Sequence, residues 1–157
     1  MMPFRSNSFL FVEAEDVTVC PEDLQYISER NSWWTDFPEM VVFVVKRDEE
    51  VVGWVKLYNI RWFNRTAYIT FYLYPEFRGK GISKMMLKEF VNLCFSTLNL
   101  NRLTAEVYSY NIRSIKVLEA LGFRNEGCLR KARYYNGSYH DIFIYGLLRE
   151  ETFHLKG

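Results

Sequence analysis

Apolar residues alternate or cluster in strand-like runs over much of this chain. MVVFVVKR (Met40–Arg47) and VVGWVKLYNI (Val51–Ile60) are rich in β-branched and aromatic residues. The acidic turn Asp48–Glu50 joins them, which predicts a hairpin. A second turn near Asn64 leads into AYITFYLY (Ala67–Tyr74), giving an antiparallel meander. From Ile82 the period changes. Ile82, Met86, Phe90 and Cys94 recur every fourth position, with Leu87, Val91 and Phe95 beside them, which predicts a helix with a wide buried face. RLTAEVYSY (Arg102–Tyr110) reads as another strand. NIRSIKVLEALGF (Asn111–Phe123) reads as a compact helix, with Asn111 as its N-cap and Gly122 as the left-handed residue past its end. Two final strands, around GCLRKARYY and HDIFIYGLL, meet at the hairpin turn Asn136-Gly137. Upstream, PEDLQYISERN (Pro21–Asn31) begins with Pro and acids, as helix first turns do. The order predicts an α+β fold built on one central mixed sheet.

Composition narrows the picture. With 157 residues, 49% of them hydrophobic, the chain can bury one sizeable core, and no linker or repeat divides it. Aromatics at 18% suffice for that core and an aromatic-lined cleft besides. A net charge of +1 argues against nucleic acid as a partner, which requires a strongly basic face. No apolar run approaches the roughly 18 residues of a membrane span. Arg5 and FLFV followed by Glu13, Glu15 and Asp16 do not read as a signal peptide. Cys20, Cys94 and Cys128 are odd in number and far apart, so they read as buried free thiols in a reducing, cytoplasmic setting. With only His140 and His154 as imidazoles, no metal site is expected.

Candidate chemistry concentrates in FRGKGISKMM (Phe77–Met86), where a strand gives way to a helix. A Walker P-loop needs GxxxxGK ending in Ser or Thr, and GKGISK has neither that spacing nor that ending. A dinucleotide fingerprint needs a third glycine where Lys84 stands, and it opens a βαβ unit rather than following a meander. A phosphate cradle remains: amides freed by Gly79 and Gly81, the start of the Ile82 helix, and the cations Arg78, Lys80 and Lys84. A plain glycine turn is the alternative.

RGKGIS, followed about thirty residues later by NIRSIKVLEALGF, resembles the GNAT superfamily of N-acetyltransferases. The first stretch carries that family's R/Q-x-x-G-x-G/A loop and the second its N-x-x-A/S…G-F helix. The resemblance runs from about Glu49 to Leu148, and its details are closest to the Rim-type branch, whose members acetylate ribosomal-protein N-termini, and to its small-molecule relatives. It implies a GNAT fold with a sheet splayed at its middle strands, one N-acetyltransferase domain over residues 1–157, and acetyl-CoA as co-substrate. In such proteins the pyrophosphate rests on loop amides, here Gly79, Lys80, Gly81, Ile82, Ser83 and Lys84 with Arg78. The pantetheine arm pairs with the preceding strand, here Phe71, Tyr72 and Leu73. Asn111 bonds the arm from the far side, with Ser114 one turn along; helix capping is the competing role for both.

Three departures bear on the chemistry. Ser83 replaces the last small residue of the loop pattern. Leu118 stands where relatives often carry a proton-donating Tyr, and leucine donates nothing. Ser114, Tyr108, Tyr110 or water could serve instead. Tyr68 stands where relatives often place a glutamate. Glu106, five residues before Asn111, matches the position that N-terminal acetylating relatives use as base, so the resemblance makes it the expected general base, with Glu76 a weaker second and a solvated or paired glutamate as the structural alternative. The implied reaction is direct attack of a neutral amine on the thioester. An α-amine, with a pKa of about 7.7–8.0, is far more often neutral near pH 7 than a lysine amine at about 10.4. That tilts the acceptor towards a protein or peptide N-terminus. A polyamine, amino sugar or aminated antibiotic is the alternative acceptor, although its expected carboxylate cluster is matched only by the turn acids Asp48–Glu50. A non-catalytic acyl-CoA-binding module is the alternative from another class. Trp33, Trp34, Tyr134, Tyr135 and His140 are candidates for the acceptor cleft, as against core or interface roles. Asp141 is a candidate to orient Arg133. The resemblance also allows a homodimer.

Overall fold

The computed structural model describes residues 4–6, 8–13 and 38–156. The expected helix Pro21–Asn31, together with Cys20, Trp33 and Trp34, lies outside the described residues. Strands β1 (Phe4–Arg5), β2 (Leu10–Glu13), β3 (Val41–Arg47), β4 (Glu50–Arg61) and β5 (Thr66–Leu73) are followed by a 3-10 turn (Pro75–Phe77) and helix α1 (Ile82–Ser96). Strand β6 (Arg102–Tyr108), helix α2 (Ile112–Ala120), strands β7 (Arg124–Tyr135) and β8 (Ser138–Leu148), and a closing 3-10 segment (Arg149–Lys156) complete the order.

The described strands form one eight-stranded sheet in the order β1-β2-β3-β4-β5-β6-β8-β7. Every ladder is antiparallel except β5 with β6. The expected turns are present, with the paired positive φ angles of tight hairpins: 49° and 68° at Asp48 and Glu49, 51° and 81° at Asn136 and Gly137. Of FLFV, noted in the sequence only as a short apolar run, Leu10, Phe11 and Val12 form β2 with Glu13 and pair with β3. Its four residues are too few to show a period.

Register assigns the two faces of the sheet. Phe43, Val55, Leu57, Ile69, Leu103 and Leu147 face one helix-covered core. Helix α1 inserts the predicted stripe there, and its Phe90 ring lies 5.2 Å from Phe11 and 5.5 Å from Phe43. The other face carries Trp54, Lys56 and Tyr58 of β4, Tyr68, Thr70 and Tyr72 of β5, and Glu106 and Tyr108 of β6, because side chains alternate along a strand. Cys94 is buried as expected, but Cys128 is exposed. Strand β7 ends the sheet and leaves most of its side chains in solvent, so a thiol there is not a core thiol.

One glycine is fixed by contact rather than by conformation. A Cβ on Gly53 would lie 2.0 Å from the carbonyl oxygen of Tyr72, so β4 and β5 approach closely only because that atom is missing. Gly53→Ala is expected to cost about 1–3 kcal/mol, as overpacking does, and to push the end of β5 outwards. Denaturant unfolding checks the loss, and an unchanged midpoint would contradict the contact.

Candidate active site

Strands β5 and β6 pair at Thr66↔Arg102, Ala67↔Leu103 and Tyr68↔Thr104, and then part. Each keeps its outer neighbour: β5 stays on β4 through Gly53↔Leu73, and β6 stays on β8 through Tyr108↔Ile142. The inner edges beyond Tyr68 and Thr104 therefore face a gap. The Tyr74 amide donates to Val52 O at 2.9 Å, on the β4 side. Alternation then turns the backbone of Tyr72 towards β4 and that of Phe71 and Leu73 towards the gap. Of the three residues singled out on this edge, two offer backbone groups and Tyr72 offers its ring.

A groove of about 510 Å³ follows this edge, lined by Phe71, Leu73, Arg78, Ser83, Asn111 and Ser114, among others. At its head α1 begins on Gly81, a left-handed N-cap with φ 74° that offers no capping side chain to the first amides of the helix. Gly79 is left-handed too, at φ 81°. A Cβ at either glycine would meet nothing within 4 Å, so their role is backbone conformation beside open space. Buried Ile82 anchors the first turn. Arg78 turns back on its own strand: its Nε donates to Leu73 O at 2.9 Å and its guanidinium lies 5.1 Å from the Tyr72 ring centre. It clasps loop to strand while lining the groove. Lys80 and Lys84 are exposed and do not line the groove.

A second cavity of about 360 Å³ opens on the other face, lined by Trp54, Lys56, Tyr58, Thr70, Glu106 and Tyr108, with Phe71, Asn111, Ser114 and Leu118 among the residues reaching it through the gap. Phe71, Asn111 and Ser114 border both cavities, so the two meet between the parted strands. Glu106 is exposed and makes no ion pair or hydrogen bond among the described residues. Burial, then the neighbouring Glu106, Tyr68 and Tyr108, push the Tyr58 phenol well above its usual range. Tyr58 is therefore a neutral donor at any ordinary pH. Trp54 is 5% exposed, and its buried indole N–H has no hydrogen-bond partner among the described residues.

Asn111 caps α2, its Oδ1 accepting the Ser114 amide at 3.2 Å, and its place on both cavities adds to that role rather than replacing it. Leu118, 1% exposed, joins the core and leaves no donor at its position. Tyr108 reaches the second cavity and Tyr110 the groove, their rings stacked 5.5 Å apart. Glu76 stands exposed on the 3-10 turn and lines neither. Tyr135 stacks on Tyr110 at 5.0 Å, whereas Tyr134 packs edge-on against Tyr139. His140 meets the Tyr110 ring edge-on at 4.7 Å. Asp141 does not hold Arg133: its Oδ1 accepts the Lys131 amide at 2.9 Å, because a bulge there turns that amide inwards. Tyr58, Trp54 and Lys56 were not foreseen as site residues. Their spacing of two in VVGWVKLYNI was visible, but the register that puts them on the face of Glu106 was not.

A family model described as Acetyltransferase (GNAT) domain matches residues 12–124. The putative ribosomal N-acetyltransferase YdaF of Bacillus subtilis (strain 168) is 36% identical over 104 residues, 66% of this chain and 57% of that protein. A spermidine N(1)-acetyltransferase of Vibrio cholerae is 30% identical over 101 residues, 64% of this chain and 58% of that protein. Among solved structures, Mycobacterium smegmatis RimJ in complex with CoA-disulfide superposes with a TM-score of 0.66 at 31% identity, over 72% of this chain and 55% of that one. The matches to the first curated relatives cover 57%, 64% and 61% of their lengths.

The cap at Asn111 has a measurable weight. Asn111→Ala is expected to lose about 1 kcal/mol of stability, and Asn111→Ser, which can still cap, to lose much less. Equal losses in thermal unfolding would mean that the 3.2 Å bond contributes nothing.

Proposed function

The chain belongs to the GNAT acetyltransferase domain family, and on that footing we propose that it is an acetyl-CoA-dependent N-acetyltransferase acting on a primary amine, the α-amine of a protein or peptide N-terminus. The observation that carries this reading is the gap between β5 and β6. One open strand edge leads from the uncapped start of α1 to Glu106, the one carboxylate among the described residues of the second cavity.

The residues present fit acetyl-CoA. Amides from Gly79 to Lys84 suit its phosphates, as unpaired first-turn donors do. Phe71 and Leu73 offer backbone groups to an extended amide-bearing arm in the manner of an added strand. Asn111 and Ser114 border the same groove from the opposite side. When bound, acetyl-CoA supplies an acetyl group activated as a thioester. Glu106 accepts a proton from the incoming ammonium, which has no lone pair until it does so. Tyr58 and Tyr108 present phenol donors to the same cavity, and Ser114 or Tyr108 takes the donor role that Leu118 lacks.

An α-amine needs the least help from one carboxylate. Its ammonium is about 2.5 units more acidic than that of lysine, a difference of about 3–4 kcal/mol in reaching the neutral form. A polyamine acceptor is the second reading, favoured by the spermidine acetyltransferases among the relatives. Against it, Glu106 is the one carboxylate among the described residues lining the cavity, and Lys56 adds a cation to the same wall.

Release of CoA thiol against N-terminal peptides, polyamines and amino sugars tests the assignment. Turnover is expected with peptides. Turnover with polyamines alone would overturn the acceptor, and binding of CoA with no transfer to any amine would favour a non-catalytic module. In the active protein, Glu106→Gln is expected to lower kcat most at low pH, where more of the amine is protonated. A pH–rate profile identical to that of the parent would remove Glu106 as base.

A further inference from the structure

Arg133 occupies an unusual position on the cleft side of the sheet. The register Arg133↔His140, with His140 two residues before Ile142 and Ile142 opposite Tyr108, puts it on the same face as Glu106. Its guanidinium lies 4.5 Å from the ring centre of Tyr108, which lines the second cavity, and 5.9 Å from that of Tyr135. The stack Tyr108–Tyr110–Tyr135, with centroids 5.5 and 5.0 Å apart, makes a wall on which a planar cation can lie flat. The Tyr110 hydroxyl, then the Tyr108 phenol, hold the guanidinium charged.

What this cation lacks is an acid. Among the described residues no carboxylate pairs with it, and its buried Nε–H finds no hydrogen-bond partner. Asp141, the counter-ion the sequence suggests, is committed to the Lys131 amide. A guanidinium offers a fork of donors shaped for a carboxylate, and an unsatisfied buried donor in a half-buried cation is unfavourable until such a group arrives.

We infer that Arg133 is a specificity-determining residue that reads a carboxylate on the acceptor, selecting peptides with Asp or Glu near the reacting amine. This rests on the N-terminal acceptor reading above. The spacing is informative. Glu106 and Tyr108 are two residues apart on one face, about 7 Å along the strand. An extended peptide advances about 3.3 Å per residue. An α-amine at Glu106 therefore brings the side chain of the second or third residue to Arg133.

Kinetics on matched peptides, Ser-Glu-Glu against Ser-Gln-Gln at their N-termini, test this directly, with free glutamate as a third acceptor to separate a small amino acid from a peptide. The acidic peptide is expected to be favoured about ten-fold in kcat/KM, chiefly through KM. In Arg133→Gln that ratio is expected to fall to about one, and Arg133→Lys to restore part of it. No acid preference in the parent protein, or a preference that survives Arg133→Gln, overturns the inference, and the parent result stands even if a variant fails to fold. A preference for free glutamate over both peptides retains the carboxylate reader but overturns its peptide partner. If no peptide turns over, the N-terminal reading fails on its own, and calorimetric binding of the same peptides with CoA present decides Arg133. Tighter binding of the acidic peptide, lost in Arg133→Gln, supports it, and equal or absent binding of both overturns it.

Discussion

The parallel pairing of β5 with β6 stops after Tyr68↔Thr104, and the candidate chemistry of this molecule depends on where it stops. Both strands remain in the sheet because each is held on its outer side. The inner backbone groups of Phe71 and the amide of Leu73 are thereby left for water or a ligand, while the Leu73 carbonyl accepts Arg78 Nε. Backbone donors and acceptors are seldom left unpaired where water is excluded, so an open edge in the middle of a sheet is itself a statement about binding. Two features keep the edge in place. Gly53 lets β4 press against the Tyr72 carbonyl, and Arg78 ties the glycine loop back to Leu73.

The gap also joins two environments. On the helix side lie the uncapped start of α1 and the Asn111–Ser114 turn, suited to phosphate and amide groups. On the cleft side, among the described residues, lie phenols, an indole, one carboxylate and cations. The two sides meet at Phe71, Asn111 and Ser114, where the proposed function would bring a thioester from the first side to an amine from the second. Under the proposed function this arrangement would position two reactants in one geometry, a source of rate that does not depend on any single acid or base. It gives a physical reason why Leu118 can sit in the core without forbidding transfer.

Much of this was legible in the chain, and the parts that were not have identifiable causes. The helix stripe from Ile82, the cap at Asn111 and the turn at Asn136-Gly137 are local signals, set by residues within a few positions of one another. Glu106 was legible as a candidate only through the family resemblance, since it matches the position used as base in N-terminal acetylating relatives. The pairing of β5 with β6 is non-local, so Trp54 and Tyr58 could not be placed opposite Glu106 from their own run. Asp141 was matched to the wrong partner for a related reason: the β7 bulge shifts the register between Leu129 and Arg133 and brings the Lys131 amide, not the Arg133 side chain, to its carboxylate. Cys128 was misjudged because composition does not reveal which strand lies at the edge.

Amide hydrogen exchange with and without CoA addresses the parted strands directly. If the arm binds as an added strand, the amides of Phe71 and Leu73 and those from Gly79 to Lys84 gain protection on addition of CoA, while Tyr72, already turned to β4, changes little. Protection of Tyr72 with Phe71 and Leu73 unaffected, or protection confined to residues away from the gap, would contradict the account.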